Sequence, residues 1–281
     1  MGRHLQEKKL EEPQDEGKQH EERLMDPLNQ RPAIVLAGQH NDGKLRTISD
    51  KEWEAEILLQ GRPMVEYVVD ALRNSGRVSP IIVVGPPHLG LHDVIWADVH
   101  PDMLENVLSG LNAVDESSVL IATADIPLLT GYIVNAFLDQ ADPRYDVVYP
   151  VIEKSVVEAK FPDTHRTYVR LKDGTFTGGN LLMVNKDAVI KSHRTLRDLL
   201  SHRKSPMRLA SDIGLMILMR WLMGSLRIVD AERRMKTLLG VEGKALIFGY
   251  PEVGVDVDKP EDWVLADKWL SQTDQTSFLV P

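Results

Sequence analysis

The sequence predicts a three-layer α/β/α fold in which helices cover both faces of a mostly parallel sheet. Three observations carry that prediction. Short unbroken apolar runs alternate with amphipathic helical stripes, the spacing of strand–helix–strand units. The runs read as continuous Val, Ile and Leu rather than as alternation, the mark of strands buried on both faces. And the 281 residues can bury a sizeable core as one large domain or two small ones.

Taken in order, residues 1–31 are polar and of mixed charge, without a sustained period. They are expected to be disordered or loosely helical, because they bury too little to offset their ordering entropy. A compact domain is expected over 32–270. Its first strand is 33–37 (AIVLA). Pro63 then opens a helix that places Met64, Val65, Val68, Val69, Ala71 and Leu72 on one stripe, with a stop signal at 74–76. The second strand is 81–84, ending at Gly85-Pro86-Pro87, and 106–114 is the next helix. A third strand at 119–122 leads to a helix at 131–140. Residues 146–151 and 180–184 are the fourth and fifth strands. The stretch 187–239, rich in Leu, Met and Arg, reads as a helical subdomain inserted before a last strand at 245–248. A final helix starts at Pro260 or Glu261 and ends at Leu270, and 271–281 form a flexible tail.

Composition narrows the function. A net charge of −9 argues against nucleic acid as a partner, since phosphate backbones call for a basic surface. The absence of cysteine removes disulfides, thiolate zinc sites and a Cys nucleophile, and fits a reducing compartment. The N-terminus lacks the apolar core of a signal peptide. The apolar run at 213–223 is broken by Arg220 and is shorter than the ~20 residues that span a bilayer. The expectation is a cytoplasmic protein without stable membrane insertion.

In parallel sheets ligands bind beyond the carboxyl ends of the strands, so chemistry is sought there. The loop after the first strand is Gly38-Gln39-His40-Asn41-Asp42-Gly43-Lys44-Leu45-Arg46. Its glycines would let backbone amides approach a triphosphate, with Lys44 and Arg46 neutralising charge; it also reads as a plain polar connection turning at Asp42-Gly43. Gly38, Gly43 and Lys44 nearly match the P-loop spacing, but Leu45 stands where a metal-binding hydroxyl belongs. After the third strand, Thr123-Ala124-Asp125-Ile126-Pro127 sets a carboxylate at a strand end, suited to a hard cation or to capping a turn. Asp256 and Asp258 alternate on an extended segment and so share a face, while Asp258 also suits the N-cap of the helix from Pro260.

Six stretches in register, LAG (36–38), GRPMVEYVVDAL (61–72), ENVLSGL (105–111), TADIPLLT (123–130), TGGN (177–180) and VDVDKPEDW (255–263), resemble the MobA-like nucleotidyltransferases over about residues 33–270. The resemblance implies a Rossmann-like fold of GT-A type. It implies an NTP donor, Mg²⁺ as cofactor and a small phosphorylated acceptor, with diphosphate released. By position, Leu36, Ala37, Gly38, Gly43, Asn106 and Gly110 would line the nucleotide. Asp125 and Asp258, with Asp256, would hold the metal, and Gly179 and Asn180 would face the acceptor. Asp125, Lys44 and Arg46 would be the catalytic set. Two departures stand out: the family's second loop glycine is replaced in LAGQHNDGKLR, and Glu54 stands where many members carry lysine, so that Lys44 or Arg62 would have to neutralise phosphate. A P-loop-like kinase or NTPase, a GT-A glycosyltransferase and a catalytically silent nucleotide-binding regulator are the competing readings.

Two further signals lie in the helical stretch. Met216, Met219, Trp221, Leu222 and Met223 suit a buried helix, a homodimer interface or an apolar lid for a hydrophobic acceptor. Arg194, Arg197, Arg203, Lys204 and Arg208 suit a solvated face or an acceptor's phosphate.

Overall fold

The computed structural model describes residues 30–202 and 214–277; the extension at 1–29, the segment 203–213 with Arg203, Lys204, Arg208 and Leu209, and residues 278–281 lie outside the described residues. Strand β1 (Arg31–Leu36) leads through a long loop to a short ribbon of β2 (Leu58–Leu59) and β3 (Arg62–Pro63), then to helix α1 (Met64–Asn74) and strand β4 (Val78–Val84). There follow β5 (Ile95–Ala97), α2 (Met103–Asn112), β6 (Ser118–Thr123), α3 (Gly131–Gln140), β7 (Val147–Glu153) and the short α4 (Lys154–Lys160). Strands β8 (Val169–Leu171), β9 (Gly174–Gly178) and β10 (Leu181–Asn185) precede helices α5 (Lys186–His202), α6 (Leu215–Leu222) and α7 (Ile228–Leu239). Strand β11 (Gly243–Ile247) and helix α8 (Pro260–Ser277) end the chain's described part.

The main sheet has the order β5-β4-β1-β6-β10-β7-β9-β8, with β11 pairing along β7. It is mostly parallel: β1 ladders in parallel with β4 and β6, and β7 with β11, while β9 and β10 run against the rest. The fifth strand of the sequence reading is therefore antiparallel. The register shows why. Val151 pairs with Gly178 and Val148 with Met183, so β9 and β10 are one strand against β7, interrupted by a two-residue bulge at Gly179-Asn180.

β1 is buried on both faces, as its unbroken AIVL run predicts. Ala33 and Val35 join the core formed with α1 and α3; Ile34 joins the opposite core with Leu111 of α2, Val184 and Val189. α1 buries the whole predicted stripe. α2 begins three residues before the predicted start, because the Asp102 side chain accepts from the N–H groups of Leu104 and Glu105 and caps it. α8 continues past Leu270 to Ser277. No helix among the described residues is long and apolar enough to cross a membrane.

Candidate active site

β1, β4 and β6 are parallel, so their carboxyl ends share one edge of the sheet, and a cleft of about 590 Å³ opens there. Leu36 and Gly38 at the end of β1, Asn106 on α2, Asp125 beyond β6, and Asp258 all line it. Gly38 is required by close approach: a Cβ there would collide with Val99 Cγ2 and meet Asn106 Nδ2 at 3.4 Å. Asn106 is buried, and its Oδ1 accepts the His100 N–H at 2.6 Å, which fixes the amide against the loop glycine.

The acidic centre forms where two chain segments meet backbone to backbone. The Val257 N–H donates to the Asp125 carbonyl at 2.9 Å, so the extended segment carrying Asp256 and Asp258 lies against the turn after β6. Oxygens of Asp125, Asp256 and Asp258 lie within 4.8 Å of one another. Gly179 and Asn180 hold this joint from the side. The Thr123 N–H donates to the Asn180 carbonyl at 3.1 Å and the Asn180 N–H to the Val253 carbonyl at 2.6 Å; the Gly179 N–H donates to the Pro150 carbonyl at 2.9 Å. A Cβ on Gly179 would meet Pro150 Cγ at 2.9 Å, which accounts for the glycine at the bulge.

Two of these carboxylates, Asp125 and Asp256, carry a mark of crowding. Burial and the Asp258 charge push Asp125 up to about 6, although Thr123 donates its hydroxyl to Oδ1 and opposes the shift. Burial and then Asp125 push Asp256 up to about 7, against the pull of Arg166. The Arg166 guanidinium, only 7% exposed, donates to the Asp256 carboxylate, to the Asp256 carbonyl at 2.6 Å and to Asp262 Oδ1 at 3.2 Å. Arg166 thus fixes the acidic segment from behind. It sits in the polar stretch DTHRTYVR, which carries no pattern that singles it out.

Glu54 joins the same field. The loop after β1 folds back on itself: His40 stacks on Trp53 at 3.9 Å, the Asn41 N–H donates to the Glu52 carbonyl and the Glu54 N–H to the Gln39 carbonyl. This return brings Glu54 into the cleft, where burial and the charges of Asp125 and Asp258 push it up to about 7.

The remaining residues of the sequence reading lie elsewhere. Arg46 closes its own loop, donating to the carbonyls of Asp50 at 2.8 Å and Lys51 at 2.9 Å, and lines a separate shallow depression with Ile48 and Trp263. Lys44 and Gly43 are exposed on that loop and do not line the cleft. Arg62 pairs with Glu66 and Asp70. Ala37 is buried beneath Gly85, and Gly110 packs α2 on β1, where a Cβ would meet Ile34 Cγ2 at 2.6 Å. The strand is followed by a 3₁₀ turn at Lys44–Thr47 instead of the helix that a P-loop requires at this point.

The donor set fits a hard divalent cation: three carboxylates converge, with no sulfur or imidazole among them, and Asp125 and Asp256 are raised first by burial and then by neighbouring negative charge, which a bound cation would offset.

Comparison with known proteins agrees with this geometry. The MobA-like NTP transferase domain matches residues 33–204. A hypothetical transferase from Thermus thermophilus is 42% identical with a TM-score of 0.77, the match covering 83% of this chain and 99% of that one. A nucleotidyl transferase from Methanothermobacter thermautotrophicus is 16% identical with a TM-score of 0.55, over 87% of this chain and 99% of its own. The 2-C-methyl-D-erythritol 4-phosphate cytidylyltransferase of Thermus thermophilus is 14% identical with a TM-score of 0.51, over 86% and 99%; these last two likenesses show the fold. No curated protein matches. With more than half of its length matched, the chain belongs to the MobA-like NTP transferases and is a nucleotidyltransferase.

Proposed function

We propose that the protein moves a nucleotidyl group from an NTP to a small phosphorylated acceptor, with Mg²⁺, and releases diphosphate. The observation that carries this reading is the convergence of Asp125, Asp256 and Asp258 within 4.8 Å beside a glycine-lined cleft. Asp125 and Asp258 would hold the ion, with Asp256 as a third ligand shared with Arg166. Such an ion, when bound, offsets charge on the phosphate oxygens during in-line displacement.

The chain's own part is positioning. Gly38 lets the loop after β1 lie against Val99 and Asn106 at the cleft, and Asn106, fixed by His100, offers its amide beside that glycine. Leu36 supplies an apolar edge to the same cleft. Gly179 and Asn180, in the bulge between β9 and β10, do not line that cleft and are assigned to the acceptor. The acceptor's phosphate oxygen, or a hydroxyl oxygen that gives its proton to solvent, attacks the α-phosphorus there, the bond to the β-phosphate oxygen breaks, and diphosphate leaves. Asp125, Asp256 and Asp258 are assigned to ligation and not to proton transfer.

The test is incubation of the protein with each NTP, Mg²⁺ and a panel of phosphorylated acceptors, reading diphosphate. Release that depends on acceptor supports the reading. Release of free phosphate or NDP would favour a kinase or NTPase, turnover of a nucleotide sugar a glycosyltransferase, and nucleotide binding without turnover a regulatory role.

We further propose a homodimer through the helical segment. Met216 is 74% exposed, and Leu222 and Met223 are each 66% exposed, on a face with no cover among the described residues. Light scattering of the wild type and of Leu222→Asp tests it; a wild-type monomer refutes it.

A further inference from the structure

Four carboxylates, Glu54, Asp102, Asp125 and Asp258, line the cleft and Asp256 lies beside it, around a site read as binding a polyanion. The sequence offered Lys44 and Arg46 as counter-charges, yet neither lines the cleft. Among the described residues that do, one is cationic: Arg197. It stands late in α5, the helix that packs against α2, so it comes from the helical segment and not from the glycine loop.

Arg197 now donates to Glu105 on α2, with the two side chains 52% and 40% exposed. An exposed pair of this kind contributes little to stability, so its guanidinium can exchange a carboxylate for a more highly charged partner at small cost. A planar fork of donors is suited to phosphate oxygens, and those oxygens outcompete one exposed carboxylate. The cleft also decides which phosphates are meant. Arg197 shares it with Leu36, Gly38 and Asn106, the residues of the donor side, whereas Gly179 and Asn180 lie outside it.

We propose that Arg197 leaves Glu105 and binds the phosphates of the nucleotide donor, supplying the cation that the glycine loop does not. The proposal rests on the reading of the cleft as an NTP site. It also assigns Glu105 a part: it parks the arginine and competes with the donor for it.

The experiment is calorimetric titration of the full-length protein with each Mg²⁺-NTP, with the matching nucleoside followed by ligand-observed NMR. For the NTP that binds the wild type most tightly, Arg197→Ala is expected to weaken binding about tenfold, the loss of one charge-assisted phosphate contact. Nucleoside binding should stay unchanged. Arg197→Lys should keep part of the affinity, and Glu105→Gln should tighten the NTP about threefold by freeing the arginine. Equal NTP affinity in wild type and Arg197→Ala overturns the proposal and leaves the nucleotide site standing. So does parallel loss of NTP and nucleoside by both Arg197 variants, which would make the residue structural. A wild type that binds no Mg²⁺-NTP overturns the donor-site reading and this inference with it.

Discussion

Replacing Asp125 by Asn should make the metal-free protein more stable and blind to Mg²⁺. Burial and the nearby Asp258 charge raise the Asp125 carboxyl from 3.8 to about 6, a shift of roughly two units, each of which corresponds to about 1.4 kcal/mol. Ionised Asp125 therefore strains the empty cleft by up to about 3 kcal/mol. The group keeps some contact with solvent at the cleft floor, which screens the charge, and about 2 kcal/mol is the working figure. Asn retains an acceptor for the Thr123 hydroxyl and can donate to Asp258, so the substitution removes charge without stranding its partner. For a chain of this size about 2 kcal/mol is a rise of roughly 4–8 °C in melting temperature. The direction with pH follows from the raised folded value. At about pH 4 and below the carboxyl is protonated in the folded chain and at most partly ionised in the unfolded one, so the variant gains little. Between about pH 4 and about pH 6 the unfolded chain releases a proton that the folded one still holds, so the wild type loses stability there and the variant does not, and the full gap is present at about pH 8. Saturating Mg²⁺ should reverse the order, since only the wild type binds it well. Differential scanning calorimetry in EDTA and in Mg²⁺, at pH 4 and pH 8, reads all of this. A variant that melts at or below the wild type in EDTA at pH 8, or that keeps the full Mg²⁺ response, would refute the argument.

Other expectations follow from the same geometry. Mg²⁺ affinity should fall as pH drops from about 7 to about 6, because Asp256 and Asp125 take up protons there and ligation needs them ionised; titration calorimetry across that range checks it. Arg166→Ala should cost about 3–5 kcal/mol in urea unfolding, since it leaves Asp256 and Asp262 without their buried partner. Glu54→Lys should tighten Mg²⁺-NTP binding about fivefold by exchanging repulsion for attraction beside the phosphates. Gly110→Ala should cost about 1–3 kcal/mol through its clash with Ile34 while leaving NTP affinity of the folded protein unchanged; a selective loss of affinity would return Gly110 to the nucleotide site.

The elements most legible in the sequence were those whose burial is complete. The AIVL run became β1, the stripe from Met64 to Leu72 became α1, and residues 131–140 became α3 with the same limits. Elements decided by tertiary contact were not legible. β5 and β8 have three residues each and are mostly exposed or half-buried, so no hydrophobic period marks them. The register of β10 depends on the Gly179-Asn180 bulge, whose partners Pro150 and Val253 are distant in sequence. The site divides the same way. Gly38, Asn106, Asp125 and Asp258 stand in local motifs at strand and helix ends, and the structure brings them into one cleft. Lys44 and Arg46 drew attention by their charge and their place in the loop after the first strand, but neither lines the cleft, and the backbone carbonyls of Asp50 and Lys51 take Arg46. Arg166 acts through partners remote in sequence and was not legible, while Arg197 stood in a basic stretch read as a solvated face or a contact for an acceptor's phosphate, and only the fold brings it to the cleft.

The bond between the Val257 N–H and the Asp125 carbonyl has a bearing on how such a centre can change. The approach of the two acidic segments is set in part by main-chain atoms, which substitution of Asp125, Asp256 or Asp258 by another residue short of proline leaves in place. Side chains can therefore be exchanged one at a time, carboxylate for amide or acid for base, while the frame that aims them persists. A scaffold built this way can be retuned from one donor or metal to another in single steps, each leaving a folded protein for the next.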